Sequence, residues 1–156
     1  MALGSRYNPP PAGTPVMGLL PVLPGQINAA VQLLEANVET ALPLSNVPGP
    51  SQTGFDVSNL NKAVPDVLNN PRKRTLVINA KTGAISGKFV LSGPHPFGGT
   101  PATIVRSVSY FGIIVNNGAG QQGFGYYLLP QLPSSFLEKV TLTPILSGQA
   151  SFFATP

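Results

Sequence analysis

The sequence predicts an all-β domain, either an antiparallel β-sandwich or a small barrel of about seven to nine short strands. Three observations lead to this prediction. Charged residues make up only 9% of the 156-residue chain, against roughly 25% in a typical soluble domain. The chain contains 17 glycines and 18 prolines, which shorten elements and mark turns. Residues 75–130 alternate apolar and polar side chains between Gly-containing turns, as strands do.

Residues 1–25 are predicted to form a proline-rich, extended arm, docked on the body of the protein or on a neighbour. The stretches NPPPAGTP and LLPVLPG lack backbone N–H donors at every proline, which disfavours a place inside a sheet. Within the arm, residues 16–20 are compatible with one short strand. Residues 26–156 are then predicted to be a single β domain.

The segment 26–42 fits two structures. Its apolar residues alternate from Ile27 to Leu33 as in a strand, whereas Ile27, Val31 and Leu34 also fit one face of a helix. Its composition favours a helix, but the strand patterns in the rest of the chain favour a strand, which we prefer. At most one short helix is therefore expected in the whole domain.

The clearest pattern is a hairpin in residues 75–94. Ile85, Phe89 and Leu91 share one face of a strand, and a short Gly-containing turn over residues 79–83 precedes it. Gly83 is expected to have a positive φ in the turn, and Gly87 to mark a bulge or a close contact.

Further strand signals surround this hairpin. Gly112 sits where a run becomes apolar on both faces, which predicts a bulge or bend. Asn117-Gly118 is a preferred pair for a tight hairpin turn. The additional strands are predicted over residues 55–64, 104–116, 123–129, 140–143 and 148–153.

Composition excludes several kinds of chemistry. The chain has no cysteine, so disulfides, thiolate nucleophiles and zinc–thiolate sites are ruled out. The single histidine, His95, and five acidic residues give little basis for a metal site, and no cofactor is predicted. No apolar run reaches the roughly 18 residues of a membrane span, and no signal peptide is recognisable at the N-terminus.

Three short motifs are better explained as turns than as active sites. Residues 118–123 spell GxGxxG after a strand, but no helix pattern follows to receive a dinucleotide phosphate. Residues 81–83 spell KTG without the accompanying SxxK serine of β-lactamases. His95 lies in a Gly-Pro-His-Pro loop, and a small hydrolase built on it is the least favoured hypothesis.

Two candidate binding surfaces follow from the pattern. Aromatic residues on two consecutive strands could stack on sugar rings, which gives a possible ligand surface at Tyr110, Tyr126 and Tyr127. The acid-free interval between Asp66 and Glu138 gives a possible anion-attracting surface, whose members are Arg72, Lys73, Arg74, Lys81, Lys88 and Arg106. Basic and aromatic residues are not interleaved as in RNA-binding proteins, so no nucleic-acid partner is expected.

Read together, the motifs resemble a repeated all-β module of large secreted or cell-surface proteins of environmental bacteria. Its pattern is Y-x-P-P-x-G, then T-G-x-x-S-G-x-F, then F-x-G, then G-x-G-F/Y-x-L. The matching residues are Tyr7, Pro9, Pro10, Gly13, Thr82, Gly83, Ser86, Gly87, Phe89, Phe111, Gly112, Gly123, Gly125, Tyr126 and Leu128.

The resemblance implies an extracellular or cell-surface location and no enzymatic activity. We therefore expect a non-catalytic structural or adhesive module that contacts neighbouring modules or identical subunits and is capable of self-assembly. The alternative is a carbohydrate-binding module that holds a surface polysaccharide on its tyrosines.

Overall fold

The computed structural model describes residues 7–20, 22–23, 25–36, 52–116 and 120–155, in which strands are the main regular element. Eight strands are present within these residues: β1 (Ala29–Glu35), β2 (Gln52–Val57), β3 (Ala63–Pro65), β4 (Val77–Asn79), β5 (Ala84–Pro94), β6 (Thr103–Asn116), β7 (Gln121–Pro130) and β8 (Ile145–Ala154).

All eight strands belong to one antiparallel sheet in the order β3-β2-β1-β8-β7-β6-β5-β4, which curls into a nearly closed barrel. The predicted all-β class is confirmed, and the barrel is the correct one of its two forms. The edge strands β3 and β4 have only three residues each, and β3 ends at Pro65, which has no N–H to offer. Short, proline-ended edges are a common way to prevent edge-to-edge pairing.

The predicted hairpin is formed by β4 and β5. The side-chain oxygen of Asn79 accepts hydrogen bonds from the amides of Lys81 and Thr82, which closes the turn. Gly83 has φ +74°, the left-handed conformation that only glycine adopts without strain. The KTG motif is thus a hairpin turn, as its sequence context predicted.

Two buried tyrosines fasten the barrel from inside, each across a glycine. Tyr110 on β6 faces Gly87 on β5, and its hydroxyl donates to the carbonyl oxygen of Thr75 on the far side of β5. A Cβ at position 87 would overlap both the Tyr110 ring and the Thr75 oxygen. The glycine therefore provides the space in which the ring lies, which confirms the close contact predicted at Gly87.

Tyr127 on β7 repeats this arrangement over β8. It faces Gly148, where a Cβ would overlap its ring, and its hydroxyl donates to the carbonyl oxygens of Leu34 and Glu35 on β1. A third aromatic residue, Phe152, faces Gly123 in the same way, with only 2.8 Å between its Cβ and a Cβ built on the glycine. Rings packed over cross-strand glycines fill the core without forcing the strands apart.

The arm packs on the body over residues 7–20. Val16 is fully buried and Leu19 nearly so, while the Tyr7 hydroxyl donates to the carbonyl of Ala80 in the β4–β5 turn. The arm thus crosses the barrel end where that turn lies. Asn28 holds the adjoining segment, since its side chain bonds both backbone groups of Val57 and the carbonyl of Leu20.

Two predicted strands are wrong, and a third, predicted over residues 55–64, is interrupted by a turn and forms β2 and β3, which pair with each other. Val16–Gly18 forms a single 3-10 turn, because it bends to insert Val16 into the barrel end and Met17 takes φ 59°. Val140–Leu142 is also a 3-10 turn, and it lies in the β7–β8 connection. Residues 29–35 form a strand, as preferred, whereas the rest of that segment beyond residue 36 and the turn at Asn117-Gly118 lie outside the described residues.

Candidate functional site: an apolar patch on the outer face of the barrel

Five large apolar side chains lie together on the outer face of β6 and β7. Side chains alternate along both strands, so the odd-numbered residues of β6 and the even-numbered residues of β7 point outward. Phe111 pairs directly with Tyr126, and Ile113 pairs with Phe124. Leu128 follows Tyr126 on the same face of β7. These five residues are called the outer patch below.

The outer patch is exposed to solvent to an unusual degree for aromatic and aliphatic residues. The exposed fractions are 53% for Phe111, 57% for Tyr126 and 54% for Leu128, and Ile113 and Phe124 retain 48% and 37%. Together they present an apolar surface on the order of 500 Å². That is near the largest apolar patch found on ordinary monomeric proteins, and such patches are often functional.

A glycine pair lies under the outer patch. Gly112 and Gly125 are paired residues of β6 and β7, and a Cβ on Gly112 would lie 2.5 Å from the carbonyl oxygen of Phe124. The pairing register continues unbroken from Ala84↔Ile113 to Pro94↔Thr103, so the predicted bulge at Gly112 is wrong. The missing side chains instead let the two backbones approach closely where the sheet curves, and the outer patch lies on the convex side.

A polar rim, neutral except for Lys88 at its margin, borders the outer patch. On the β8 side, the paired residues are Ser147 opposite Leu128, Gln149 opposite Tyr126 and Ser151 opposite Phe124. On the β5 side, Ser86 pairs with Phe111, and Lys88 pairs with Ser109 at the margin. The described strands β6, β7 and β8 place no acidic or basic side chain on this face, because their only charged residue, Arg106, points inward and is buried.

Of the three tyrosines in the predicted ligand surface, only Tyr126 is exposed. Tyr110 and Tyr127 are both completely buried, and their hydroxyls bond backbone carbonyls inside the barrel. They are not available to a ligand, and Tyr126 alone of the three faces outward. Adjacent residues of a strand point to opposite faces, so Tyr126 and Tyr127 could not share one surface. The exposed residues beside Tyr126 are instead Phe111, Phe124, Ile113 and Leu128.

The predicted basic surface is divided by the barrel wall. Lys73, Lys81 and Lys88 are exposed, whereas the three arginines of the set are buried. Arg74 extends through the interior and donates to the carbonyl of Val31 at 3.0 Å. Burial, followed by the charge of Arg72, lowers the pKa of Arg74 to about 9. These arginines therefore belong to the interior of the fold and do not join the lysines in a single anion-attracting surface.

Arg106 lies near the other end of the barrel. Its Nη1 donates to the carbonyl oxygen of Pro130 at 2.7 Å, which ties β6 to the end of β7. Burial lowers the pKa of this guanidinium. The alternation of β6 indicates that Arg106 points inward, since Ile104 and Val108, two residues away on either side, are both buried.

His95 is a loop residue in a closed environment. It is buried, its Nδ1 accepts the amide of Phe97 at 3.2 Å, and its own amide donates to the carbonyl of Ala102. Its ring lies against Gly99, where a Cβ would approach Cε1 to 2.7 Å. Both hydrogen bonds stabilise the β5–β6 loop.

No group of three or more acidic or histidine side chains in the described residues is placed to hold a metal ion. No helix in this part of the chain is long and apolar enough to cross a membrane. A small cleft of about 50 Å³ beside β3 is lined by Asp56 and Asp66, and Asp66 already accepts hydrogen bonds from Leu68 and Asn69.

Comparison of the chain with known protein families, curated proteins and solved structures returns no match.

Proposed function

We propose that this chain is a non-catalytic structural or adhesive module of an extracellular or cell-surface bacterial protein, and that it docks through the outer patch. The observation that carries the proposal is the outer patch itself, five exposed apolar side chains at neighbouring positions on one sheet face. Leaving that much apolar surface in water is unfavourable at roughly 25 cal/mol per Å², so a partner that covers it gains binding energy.

The outer patch is also well prepared for binding. Its five residues lie on two long strands that are paired with each other and with β5 and β8 on either side. Aromatic side chains on a rigid sheet lose little conformational freedom when they are covered, which reduces the entropic cost of association. The cross-strand pairs Phe111–Tyr126 and Ile113–Phe124 place these side chains at directly opposed positions before any partner arrives.

The non-catalytic part of the proposal rests on how the reactive groups are used. The buried Tyr110 and Tyr127 hydroxyls bond backbone carbonyls, and His95 bonds its own loop. Each of these interactions serves the fold. The cell-surface part rests on the resemblance of the ordered motifs to modules of large secreted proteins.

A carbohydrate partner is the second candidate, and one observation favours it. Tyr126 and Phe111 stand side by side with Gln149 paired on the β8 side of Tyr126. Rings that stack on sugar faces, bordered by amide and hydroxyl groups, are the usual composition of a polysaccharide platform. Tyr126 would be the principal stacking residue, since Tyr110 and Tyr127 are buried.

The proposed function can be tested by displaying the chain on the surface of a non-adherent bacterial host. Cell–cell aggregation and attachment to polysaccharide-coated plates are then measured. We expect the displayed chain to promote one of the two, and Phe111→Ser and Tyr126→Ser to abolish it. Leu68→Ser, which removes a 93% exposed apolar side chain outside the outer patch, should leave it unchanged. A displayed, folded chain that promotes neither behaviour would contradict the proposal.

A glycan array separates the two candidates. If the chain is a carbohydrate-binding module, the purified protein should bind particular glycans, and Tyr126→Ala should abolish that binding. Binding to no glycan, combined with aggregation of the displaying cells, supports the structural or adhesive role and removes the alternative.

A further inference from the structure

We infer that the partner of the outer patch is a second copy of this chain, packed sheet face against sheet face. This inference rests on the proposed function, because it names the partner of the same surface. Three properties of that surface, its area, its charge and the chemistry of its rim, point to a copy of itself.

The area matches what a small stable dimer needs. A standard interface buries about 800 Å² per partner, with an apolar centre and a polar rim. The outer patch supplies on the order of 500 Å² of apolar surface, and the bordering serines and Gln149 supply the remainder. Two barrel faces packed through side chains lie about 10 Å apart, as sheets do in β-sandwiches.

The charge distribution allows two identical chains to meet on this face. The protein has a formal net charge of +4, so two copies repel one another in most orientations. The outer faces of the described strands β6, β7 and β8 carry no acidic or basic side chain, and Lys88 stands only at the margin on β5. A contact centred on β7 and β8 therefore buries no like-charged pair and leaves Lys88 at the edge of the interface.

The rim is chemically complementary to itself. Ser109, Ser147, Ser151 and Gln149 each have both a hydrogen-bond donor and an acceptor. Such groups can pair with the same residues of a second copy in an isologous interface, where one surface meets an identical surface. A rim of carboxylates alone or ammonium groups alone could not do so.

The experiment is sedimentation velocity on the purified chain from low to high micromolar concentration, at low and high NaCl. We expect a monomer–dimer equilibrium. Because the contact is uncharged and the chains repel elsewhere, added salt should strengthen dimerisation by screening. Phe111→Ser and Tyr126→Ser should each weaken it about tenfold or more, as removal of a central aromatic residue does in other interfaces. Leu68→Ser is the control, and circular dichroism confirms that each variant is folded.

The outcomes separate this inference from the proposed function. A chain that is monomeric at every concentration, or a dimer that Phe111→Ser and Tyr126→Ser do not weaken, overturns the inference. A dimer that dissociates as salt is raised also overturns it, because such a contact would be electrostatic. A monomer that still promotes cell aggregation or attachment through Phe111 and Tyr126 leaves the proposed function standing with a different partner, while a monomer that promotes neither removes both.

Discussion

The backbone amide of Val16 donates a 2.7 Å hydrogen bond to the Oδ1 of Asn61, and this bond fixes the arm to the β2–β3 turn. The Nδ2 of the same side chain donates to the carbonyl of Thr14. Asn61 has φ 60°, a conformation that asparagine tolerates better than most residues. The Asn61 side chain thus binds two backbone groups of the arm, the amide of Val16 and the carbonyl of Thr14, beside the point where Val16 enters the barrel end.

Replacement of Asn61 with glycine should loosen the arm. Glycine keeps the positive φ but removes both side-chain hydrogen bonds, so we expect the free energy of unfolding to fall by about 1–3 kcal/mol. Urea unfolding measures the loss, and limited proteolysis should show faster cleavage within residues 7–20. Asn59→Ala, an exposed change in the same turn, is the control. Equal stability of the Asn61→Gly variant and the parent would contradict this account of the arm.

Gly87 should not tolerate even one methyl group. Its Cβ would overlap the Thr75 carbonyl oxygen as well as the Tyr110 ring, and the carbonyl belongs to the backbone and cannot rotate away. We expect Gly87→Ala to lower the free energy of unfolding by about 2 kcal/mol or more. Thermal denaturation compared with Ser86→Ala, the neighbouring residue on the outer face, provides the measurement. A stable Gly87→Ala protein would mean that the ring of Tyr110 does not need this space.

Tyr127→Phe should show what the buried hydroxyl contributes. Its loss leaves the carbonyl oxygens of Leu34 and Glu35 without this donor, at a cost of about 1–3 kcal/mol. Tyr126→Phe is a closely matched control, because the adjacent side chain points outward and is 57% exposed, so a change within about 0.5 kcal/mol is expected there. Equal effects in guanidinium unfolding of the two variants would contradict the assigned orientations.

The stability of the protein should depend on Tyr110 in alkaline solution. Burial raises the pKa of this phenol above its ordinary value of 10.0, and the charge of Arg74 opposes the shift only partly. The folded state therefore keeps the proton that the unfolded state releases. The contribution is fully present below pH 10 and is lost as the pH rises above 10.

Arg74 should act in the opposite direction. Its pKa falls to about 9 in the folded state from an ordinary 12.5, so its contribution to stability increases as the pH rises above about 9.

The comparison of the parent with Tyr110→Phe isolates the contribution of the tyrosine. We expect melting temperatures between pH 8 and pH 11.5 to fall more steeply in the parent than in the variant. Parallel curves would show that Tyr110 ionises equally well in both states.

The strands that the sequence predicted well are those whose pattern was local. The β4–β5 hairpin, β6, β7 and β8 each combine alternation with a nearby glycine turn, and all are present. The strand predictions at residues 16–18 and 140–142 failed because a segment of three to five residues is too short to show a period. Val16 is buried by the end of a barrel that the local sequence does not reveal.

To predict the candidate site, one must know which face of each strand points inward. Residue type alone assigned several polar residues to the wrong face. Tyrosines and arginines look like surface residues, yet Tyr110, Tyr127 and Arg74 are buried because distant backbone carbonyls accept their hydrogen bonds. Those partners lie more than 30 residues away in the chain. The useful signal was alternation. Tyr110 lies two residues after Val108 and so shares its inward face, whereas the adjacent Phe111 must point outward.

The cross-strand pair of Tyr127 and Gly148 also constrains how the sequence of this barrel can diverge. The nearest atoms that a Cβ at Gly148 would meet all belong to the Tyr127 side chain, so the two positions share one space. A larger residue at position 148 requires a smaller one at position 127, so neither position can change alone. In related chains the two positions should therefore vary together, and the replacement of the ring by a small residue should accompany the appearance of a side chain at position 148. At Gly87 the Thr75 carbonyl oxygen also fills the space, so glycine should persist there whichever residue faces it.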